Sequence, residues 1–406
     1  MMERLFQQHV EELKERGAIS EGHVKLAERA DAAAEELYYQ EIDSYLKREV
    51  NIKNHIRVFK KHSLLGIQVP ERYGGAGGDA YSLAIAFERI GQVGMGPLTF
   101  LDVQNCLTES TLMRWADERQ KKKYLAPLAK GDKTMSFCLT EPEFGSDPSS
   151  LKTTFTEDGD GFVLNGEKYL ITNGSVADTF IVFARNDKKG ISAIIVDKGK
   201  GVNVEAEITE KLGLFTSDTT FLRFDGVFAP KENLLGEFGM GLSIAYTGLL
   251  SGRLGIASGC VGVIEDCLSA SLSRARERVQ FGKPIGRHQL VQHRLATIEE
   301  NLENAKLSVE AAAYWKKKHD SDFKNLDLRR DADHRITLAK VIATNAASKA
   351  ADNAVQIFGG FGYSTLAQPG RHYVDVRASR IYEGSNDVLE LKLASDLLGK
   401  GFEAYR

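Results

Sequence analysis

The sequence predicts an α+β fold in which an N-terminal helical domain, a middle antiparallel β-sandwich or barrel domain and a C-terminal four-helix bundle follow one another. Three observations predict it. Apolar residues recur at helical spacing in the first third, β-rich runs alternate with turn signals in the middle, and helical spacing returns afterwards. At roughly 100–200 residues per domain, the 406 residues suffice for two to four domains. We therefore predict domains over residues 1–133, 134–238 and 239–406.

The N-terminal domain is predicted to be helical because its apolar side chains repeat every three or four residues. Two helices are marked in this way, one by Leu37, Tyr38, Ile42, Tyr45 and Leu46 and the other by Leu83, Phe87 and Ile90. The Pro- and Gly-containing stretch 69–75 predicts a loop between them, and Gly131-Asp132 predicts the end of the domain.

The middle domain is predicted to be a small antiparallel sandwich or barrel. Its β-rich runs cover residues 179–184, 192–196, 202–208 and 219–224. Asn165-Gly166 lies between two further apolar runs, and this dipeptide is typical of a type I′ hairpin turn. We therefore expect a tight hairpin whose tip is Asn165-Gly166.

The C-terminal domain is predicted to be a bundle of closely packed helices. Small and aliphatic residues fall on one stripe of the stretch 335–358, namely Ile336, Ala339, Ala343, Ala347, Ala350, Ala354 and Ile357. Small residues at helical spacing allow helices to approach one another closely.

Composition excludes several classes of function. A net charge of −3 gives no support for nucleic acid or an anionic membrane as a partner. The four cysteines form no C-x-x-C pair, so we expect reduced thiols in a reducing compartment. The residues from Met1 to Arg4 lead into a polar amphipathic stretch, and no apolar run approaches the ~18 residues of a membrane span. A soluble, cytoplasmic protein is the expectation.

Familiar nucleotide and metal motifs are absent from the sequence. It contains no G-x-G-x-x-G and no P-loop, so a Rossmann or P-loop site is not supported. His288 and His293 are five residues apart, which does not suit two ligands on one helical face, and we predict no metal site.

The most informative segment is Arg380–Asp387, because it holds the carboxylate of Glu383 among apolar neighbours and directly before Gly384. Burial in apolar surroundings raises the pKa of a carboxyl group toward neutrality, where it can accept a proton from carbon. Glycine lets a ligand approach the backbone closely. The alternative for this segment alone is that Glu383 caps or pairs at an exposed helix start.

Four other segments suit ligand contacts but also have structural explanations. The loop 137–147 is rich in hydroxyls, Gly and Pro and could hold a planar ring or a phosphate, or be a strand-exit turn. The stretch 168–174 has the pattern of a strand end. In 278–289, Arg278 and Phe281 could contact a pyrophosphate and an adenine, or close a helix. The glycines of 356–363 suit a helix C-terminus or a ligand.

Together, the order of these segments resembles the acyl-CoA dehydrogenase flavoprotein family from about residue 55 to the end. The signatures that carry the resemblance are Leu139-Thr140-Glu141-Pro142 with Gly145-Ser146-Asp147, and Gln356-Ile357-Phe358-Gly359-Gly360 with Ile381-Tyr382-Glu383-Gly384-Ser385. The resemblance implies FAD held between the β domain and the C-terminal bundle, in a homodimer or homotetramer.

The resemblance also implies roles for individual residues. Glu383 would remove the α-proton of an acyl thioester while the β-hydrogen leaves as hydride to the flavin, and electrons would pass to an electron-transferring flavoprotein. Substrate contacts are implied for Ser146, Arg253 and Gly384. FAD contacts are implied for Phe137, Cys138, Leu139, Thr140, Gly145, Ser146, Leu170, Ile171, Thr172, Arg278, Gln280, Phe281, Gln289, Gln356, Ile357, Gly359, Gly360, Ser385, Asn386 and Asp387.

The sequence departs from the family pattern in ways that leave the substrate open. Leu250 stands where Asp or Asn commonly binds the pantetheine arm, and Leu170 stands where an aromatic residue usually lies beside the flavin. Gly252 occupies the position of the base in some members, which leaves Glu383 as the matching base. Arg253 could instead form a helix–helix ion pair. Alternatives are a dehydrogenase of an acyl or aminoacyl group on a carrier protein, an oxidase or monooxygenase that uses O₂, and a non-catalytic scaffold.

Overall fold

The computed structural model describes residues 2–402 and 404; Met1 and residues 403, 405 and 406 lie outside the described residues. The predicted fold class is confirmed, while the exact domain limits stay predictions. The N-terminal part is helical: α1 (Met2–Glu15), α2 (Glu21–Lys47), α3 (Ile52–Lys61), α4 (Ala80–Val93), α5 (Met95–Asp102), α6 (Ser110–Trp115), α7 (Glu118–Gln120) and α8 (Ala126–Ala129).

A π-helical segment, Val103–Glu109, joins α5 to α6 and is buried throughout. Its polar side chains tie it to its neighbours. The side chain of Gln104 hydrogen-bonds both the carbonyl (2.9 Å) and the N–H (3.2 Å) of Met135, and Asn105 accepts the N–H of Ile67 (2.9 Å). Because π-helical turns are frequent at functional sites, this buried segment is a candidate for part of a functional site.

The middle part is a mostly antiparallel eight-stranded sheet with the order β6-β7-β3-β2-β4-β5-β8, in which β1 pairs in parallel with β4. β2 also meets β4 in parallel, at Thr154 and Arg185. The sheet is therefore mixed rather than purely antiparallel. Its strands are β1 (Met135–Cys138), β2 (Thr154–Asp158), β3 (Gly161–Thr172), β4 (Thr179–Asn186), β5 (Gly190–Asp197), β6 (Val202–Glu207), β7 (Thr219–Pro230) and β8 (Leu234–Leu235).

The predicted hairpin turn at Asn165-Gly166 is wrong, because β3 runs through both residues without a break. Gly166 instead lies at a β-bulge against β7, with φ 150°, and a Cβ there would lie 2.5 Å from the Thr153 hydroxyl oxygen. The true tight turn joins β2 to β3 through Gly159, whose φ is 54°. Pairing with β2 and β7 on both sides outweighs the local turn preference of Asn-Gly.

The C-terminal part is the predicted helical bundle. α9, α10 and α11 pack side by side, and α12 and α13 pack on α11. All residues of the predicted apolar stripe of α11 are buried. The elements are α9 (Gly241–Glu277), β9 (Val279–Gln280), β10 (Lys283–Pro284), α10 (Gln289–Ser321), α11 (Leu326–Phe358), α12 (Gln368–Ser379) and α13 (Asn386–Leu398).

Within the described part of the chain, α9 is the one helix long and apolar enough to cross a membrane by length and composition. This differs from the expectation that no stretch approaches a membrane span. However, 89% of its apolar window is buried inside the protein. We therefore assign α9 to the core as its central helix.

Five glycines lie at three- and four-residue spacing along one face of α9, and we call them the glycine stripe: Gly248, Gly252, Gly255, Gly259 and Gly262. A Cβ at Gly262 would lie 1.9 Å from the carbonyl oxygen of Glu88 in α4, and one at Gly259 would lie 2.0 Å from a methyl carbon of Leu98 in α5. The stripe therefore sets how closely α4 and α5 approach α9.

Substitution of Gly262 by Ala is expected to destabilise the protein, because the added methyl group meets main-chain atoms of α4 that cannot move aside. Overpacking of this kind costs about 1–3 kcal/mol or more of unfolding free energy. We expect the thermal unfolding midpoint to fall by several degrees. Gly22→Ala is the control, since Gly22 lies in α2 with its nearest atom 3.7 Å from the added Cβ. Equal midpoints for both variants would contradict the role of the stripe.

Candidate active site

Glu383 lies in the turn between α12 and α13. Its backbone adopts the left-handed conformation (φ 56°), and Gly384 follows with φ 94°. Ser385 is the N-cap of α13, and its hydroxyl oxygen accepts a hydrogen bond from the N–H of Val388 (3.4 Å). A left-handed glutamate is uncommon and strained, and such strain is concentrated at functional sites.

The Glu383 carboxyl group is buried and directed at the glycine stripe. The residue is 9% exposed, and its Oε2 has no hydrogen-bond partner among the described residues. A Cβ at Gly252 would lie 2.5 Å from that oxygen, so the carboxyl group occupies space that any other residue at 252 would fill. Burial raises the pKa of Glu383 to about 7, against the opposing charges of Arg253 and Lys340.

Two buried basic side chains hold the main chain on the C-terminal side of Glu383. Arg253 Nε donates to the Glu383 carbonyl oxygen (3.0 Å), and Lys340 Nζ donates to the Gly384 carbonyl oxygen (2.8 Å). Lys340 also donates to Asn386 Oδ1 (2.8 Å). Arg253 forms the ion pair that the sequence left open, with Asp333 at 3.3 Å. Its contact with substrate stays a prediction.

The sequence analysis missed Asp102, the last residue of α5, which lies near Glu383. A Cβ at Gly255 would lie 2.5 Å from Asp102 Oδ1, and that oxygen has no hydrogen-bond partner among the described residues. Burial and the nearby Glu383 raise the pKa of Asp102 well above its usual value. The signal in the sequence was an acidic residue at the end of a mostly apolar helical run, 95–102.

The predicted flavin-contacting segments of the β domain lie side by side. The N–H of Tyr169 donates to the Thr140 carbonyl oxygen (2.9 Å), which joins the loop after β1 to the end of β3. The side chains of Phe137, Cys138 and Leu139 are buried, so these residues can offer a ligand mainly their main chain. Gly145 and Ser146 are exposed in the loop.

A second irregularity in β3 directs Leu170 outward. The register against β7 shifts between Lys168 and Ile171, and Leu170 has φ 56° with 52% of its surface exposed. A bulge reverses the face that a side chain occupies. Ile171 stays buried, and the main-chain carbonyl of Thr172 accepts the Ser136 hydroxyl (2.9 Å).

A buried ion pair that the sequence analysis missed fixes the loop after β1. Lys168 Nζ donates to Glu141 Oε1 (2.8 Å) and to the Leu139 carbonyl oxygen (3.1 Å). The Glu141 carboxylate also accepts the N–H groups of Lys152 and Thr153. Burial acts to raise the pKa of Glu141, but Lys168 together with the hydrogen bonds from Thr153 and Lys152 outweighs it and holds the pKa below its usual value.

The remaining predicted cofactor residues lie at the other end of the bundle. Between β9 and β10, Phe281 (φ 52°) and Gly282 (φ 74°) form a tight turn, and Phe281 is 93% exposed. The guanidinium of Arg274 lies 5.5 Å from the Phe358 ring centre, which brings this turn close to the end of α11. Exposed residues gather there, namely Arg278, Gln280, Gln289, Gln356, Gly359 and Gly360, while Ile357 is buried.

The two groups of predicted residues are far apart within one chain. At a rise of 1.5 Å per residue along α9, Arg278 lies roughly 40 Å from Gly252, on which the Glu383 carboxyl group rests. An extended FAD molecule is shorter than that distance. One protomer therefore does not bring Glu383 and Arg278 to the same cofactor.

A cleft of about 250 Å³ leads from the surface to α9. It reaches Leu250 and Ser251, which immediately precede Gly252, and Arg114, Lys317 and Arg329 also line it. The aliphatic Leu250 therefore lines the cleft two residues before Gly252, the position against which the Glu383 carboxyl group packs. Acidic groups line it as well, because Asp79 pairs with Lys317 (2.8 Å) and Asp320 pairs with Arg114 (2.6 Å).

Comparison with known proteins identifies the family. Models of the N-terminal, middle and C-terminal domains of acyl-CoA dehydrogenase match residues 20–132, 136–227 and 239–398. This chain belongs to the acyl-CoA dehydrogenase family. The resemblance inferred from the motifs is thereby confirmed.

Individual proteins are similar over most of the chain. An acyl-CoA dehydrogenase of Bacillus subtilis (strain 168) is 39% identical over 85% of this chain and 89% of its own length. A chain from the structural work on the electron transferring flavoprotein of Acidaminococcus fermentans has a TM-score of 0.88 and 34% identity, covering 94% of this chain and 98% of that one. The prolyl acyl carrier protein oxidase AnaB has a TM-score of 0.86 and 30% identity, covering 94% and 100%.

The residues of this acyl-CoA dehydrogenase family member fit FAD. Leu170 and Phe281 present exposed apolar side chains from strained backbone, which are surfaces on which an aromatic ring can lie. A Cβ placed at Gly359 or Gly360 would meet no atom within 4 Å, so the main chain there is open to close approach by a ligand.

One group of possible metal ligands exists among the described residues, His9, Glu88 and Glu265. We assign it to charge pairing. Lys306 lies 2.8 Å from Glu265, and His9 lies 2.7 Å from Glu88. Burial acts to lower the pKa of His9, but Glu88 and Glu310 outweigh it and raise the pKa to about 10. A protonated imidazole has no lone pair to give to a metal.

Replacement of Lys168 by Met is expected to loosen the loop after β1, because the Glu141 charge then stays buried without its partner. Breaking a buried pair costs about 3–5 kcal/mol. We expect a lower thermal midpoint together with reduced FAD content, read from the absorbance of the purified protein. Lys152→Met is the matched control, since the Lys152–Glu143 pair is exposed. Unchanged midpoint and flavin content in Lys168→Met would refute the role of this ion pair.

Proposed function

We propose that the protein catalyses the FAD-dependent α,β-dehydrogenation of an acyl-CoA thioester to the trans-2-enoyl thioester, with Glu383 as the base. The observation that carries the proposal is the buried Glu383 carboxyl group. Its Oε2 has no hydrogen-bond partner among the described residues, its pKa is about 7, and it packs against Gly252, which follows the cleft-lining Leu250 and Ser251 in α9. Such a group can remove a proton from C2 of a thioester at neutral pH.

The surroundings of Glu383 suit both of its protonation states. Arg253 and Lys340 direct their hydrogen bonds at main-chain carbonyl groups, so Oε2 stays available to a substrate. After Glu383 takes the C2 proton, the neutral acid lies in buried surroundings that favour it. Burial therefore assists the transfer without a large rearrangement.

The negative charge that develops on the thioester oxygen needs fixed donors. We assign one of them to the Glu383 N–H, because the turn that carries it is fixed by Arg253 and Lys340. One donor of this kind is typically worth about 3 kcal/mol in the transition state. Gly384 beside it allows the thioester to approach the main chain.

FAD is proposed to lie against the loop 137–146 and residues 170–172 of one chain. Arg278, Gln280, Phe281, Gln289 and residues 356–360 of a second chain would hold its pyrophosphate and adenosine. When bound, FAD accepts the hydride that leaves C3. Ser385, Asn386 and Asp387 would close the site. The roughly 40 Å along α9 supports this division between subunits of a homodimer or homotetramer.

Substrate and partners follow from the same site. Of the basic side chains along the cleft, Lys317 is paired with Asp79, so we propose Arg329 as the contact for a phosphate of CoA. The likeness to a chain studied with an electron transferring flavoprotein supports that protein class as the electron acceptor. Membership of the acyl-CoA dehydrogenase family supports a soluble protein, and we propose a cytoplasmic location.

A second candidate keeps the chemistry but changes the carrier. Leu250 lacks the polar group expected for pantetheine, and the prolyl acyl carrier protein oxidase is similar to this chain. The acyl group would then be delivered on a carrier protein. Flavin bleaching by carrier-bound thioesters, without bleaching by CoA thioesters, would favour this candidate. Fast reoxidation of the reduced flavin by air would favour an oxidase.

Glu383→Gln is expected to retain the yellow flavin but to reduce turnover by about a thousandfold or more, because the amide cannot accept the C2 proton. Flavin reduction by an acyl-CoA panel under anaerobic conditions measures the effect. Glu390→Gln on the exposed side of α13 is the control and should retain full activity. Near-normal turnover of Glu383→Gln would remove Glu383 from the mechanism.

The pH dependence of kcat/KM should report the raised pKa of Glu383. Only the ionised carboxylate accepts a proton, so kcat/KM is expected to fall about tenfold per pH unit below pH 7 and to level off above it. A carboxyl group at the ordinary value of 4.5 would instead give a constant kcat/KM from pH 6 upward. Initial rates from pH 5 to 9 at low substrate concentration distinguish the two profiles.

A further inference from the structure

Two carboxyl oxygens rest on successive positions of the glycine stripe. Glu383 Oε2 lies 2.5 Å from an ideal Cβ at Gly252, and Asp102 Oδ1 lies 2.5 Å from an ideal Cβ at Gly255. Residues three apart in a helix are neighbours on one face, with Cβ positions about 5–6 Å apart. Both oxygens therefore line the same face of α9, with Asp102 one helical turn beyond the base.

One carboxyl oxygen of Asp102 lacks the kind of partner that several other buried acids of the protein have. Asp266 accepts from His372 at 2.8 Å, and Glu41 accepts from His55 at 2.8 Å. Asp102 is 2% exposed, and its Oδ1 has no hydrogen-bond partner among the described residues. Buried side-chain oxygens without partners are rare in native structures, and each one calls for a physical explanation.

The surroundings of Asp102 are polar on the side of the base. The Cys106 thiol hydrogen-bonds the Asp102 carboxyl group, and the Tyr382 hydroxyl, which contacts Thr99, lies nearby. On the other side lies the apolar Phe87, 2.7 Å from an ideal Cβ at Gly255. A plain hydrocarbon chain beside Asp102 would leave its oxygen permanently unpaired, which is unfavourable.

We propose that Asp102 determines acyl-group specificity by accepting a hydrogen bond from an amine or hydroxyl group on the acyl chain. The inference rests on the proposed function, since Glu383 fixes the position of C2. With bonds of about 1.5 Å, the 5–6 Å between the two positions on α9 corresponds to a donor atom roughly four bonds beyond C2. The preferred substrate class is thus an ω-amino or ω-hydroxy acyl thioester rather than a simple fatty acyl thioester.

The test compares three CoA thioesters of equal length: hexanoyl-CoA, 5-hydroxypentanoyl-CoA and 5-aminopentanoyl-CoA. Binding is measured by titration calorimetry on the FAD-loaded Glu383→Gln protein, which removes turnover. We expect at least one of the two polar thioesters to bind ten or more times more tightly than hexanoyl-CoA. Preference for the amine identifies a cationic ligand group, and preference for the alcohol identifies a neutral one.

Substitutions of Asp102 then test whether this residue causes the preference for a polar thioester. In the Glu383→Gln protein, Asp102→Leu should reverse the order of binding affinities in favour of hexanoyl-CoA. The isosteric Asp102→Asn should remove any preference for the amine. Glu109→Gln is the control, because Glu109 is a second buried acid with an unpaired oxygen in the adjoining π-helical segment, and it should not change the order. If Asp102→Leu does not fold, Asp102→Asn and an Asp102→Ser variant decide between the outcomes.

The inference is overturned if hexanoyl-CoA binds as tightly as both polar thioesters while Asp102 is present. The inference is also overturned if the order of binding affinities is unchanged by substitution of Asp102, or if Glu109→Gln changes that order as much as the Asp102 variants do. The proposed function is judged separately, by flavin reduction in the protein that retains Glu383. Reduction by hexanoyl-CoA without a polar preference would retain the function and remove the role of Asp102.

Discussion

The close approach of other elements to the backbone of α9 is the constraint on which the rest of the structure depends. The glycine stripe leaves room for α4 at Gly262, for Leu98 at Gly259, for Asp102 at Gly255 and for the base at Gly252. Any side chain at these positions would displace its neighbour, since each ideal Cβ falls inside contact distance. The same feature thus packs the N-terminal helices and positions the chemistry, so folding and activity are linked through one helix face.

The electrostatics of the site depend on which atoms the two buried basic side chains bind. Had Arg253 or Lys340 bound the Glu383 carboxylate directly, they would have lowered its pKa by about 1–3 units and occupied the oxygen that must receive a proton. Instead they bind the carbonyl groups of Glu383 and Gly384. The main chain is fixed by strong charge-assisted hydrogen bonds, while burial remains the dominant influence on the carboxyl group.

The sequence predicts the features that depend on local pattern. The order of helical and β regions, the buried stripe of α11 and the burial of Glu383 all follow from residue spacing and motif. The features it does not predict depend on long-range contacts. Asn165-Gly166 has the pattern of a turn, but β2 and β7 pair along both sides of it. The Lys168–Glu141 pair joins residues 27 positions apart, and Asp102 meets the stripe only once α5 packs on α9.

The length of α9 makes the assembly part of the active site. Its N-terminal half lies against the Glu383 carboxyl group and borders the cleft, while Arg278 and the exposed Phe281 follow its C-terminal end roughly 40 Å away. An exposed aromatic ring on a strained turn destabilises an isolated chain, because both the strain and the exposed apolar surface are unfavourable in water. In the proposed arrangement, a second subunit brings this turn to the β domain of its partner, which would remove the exposure and complete the cofactor site. Assembly and cofactor binding are therefore expected to stabilise each other.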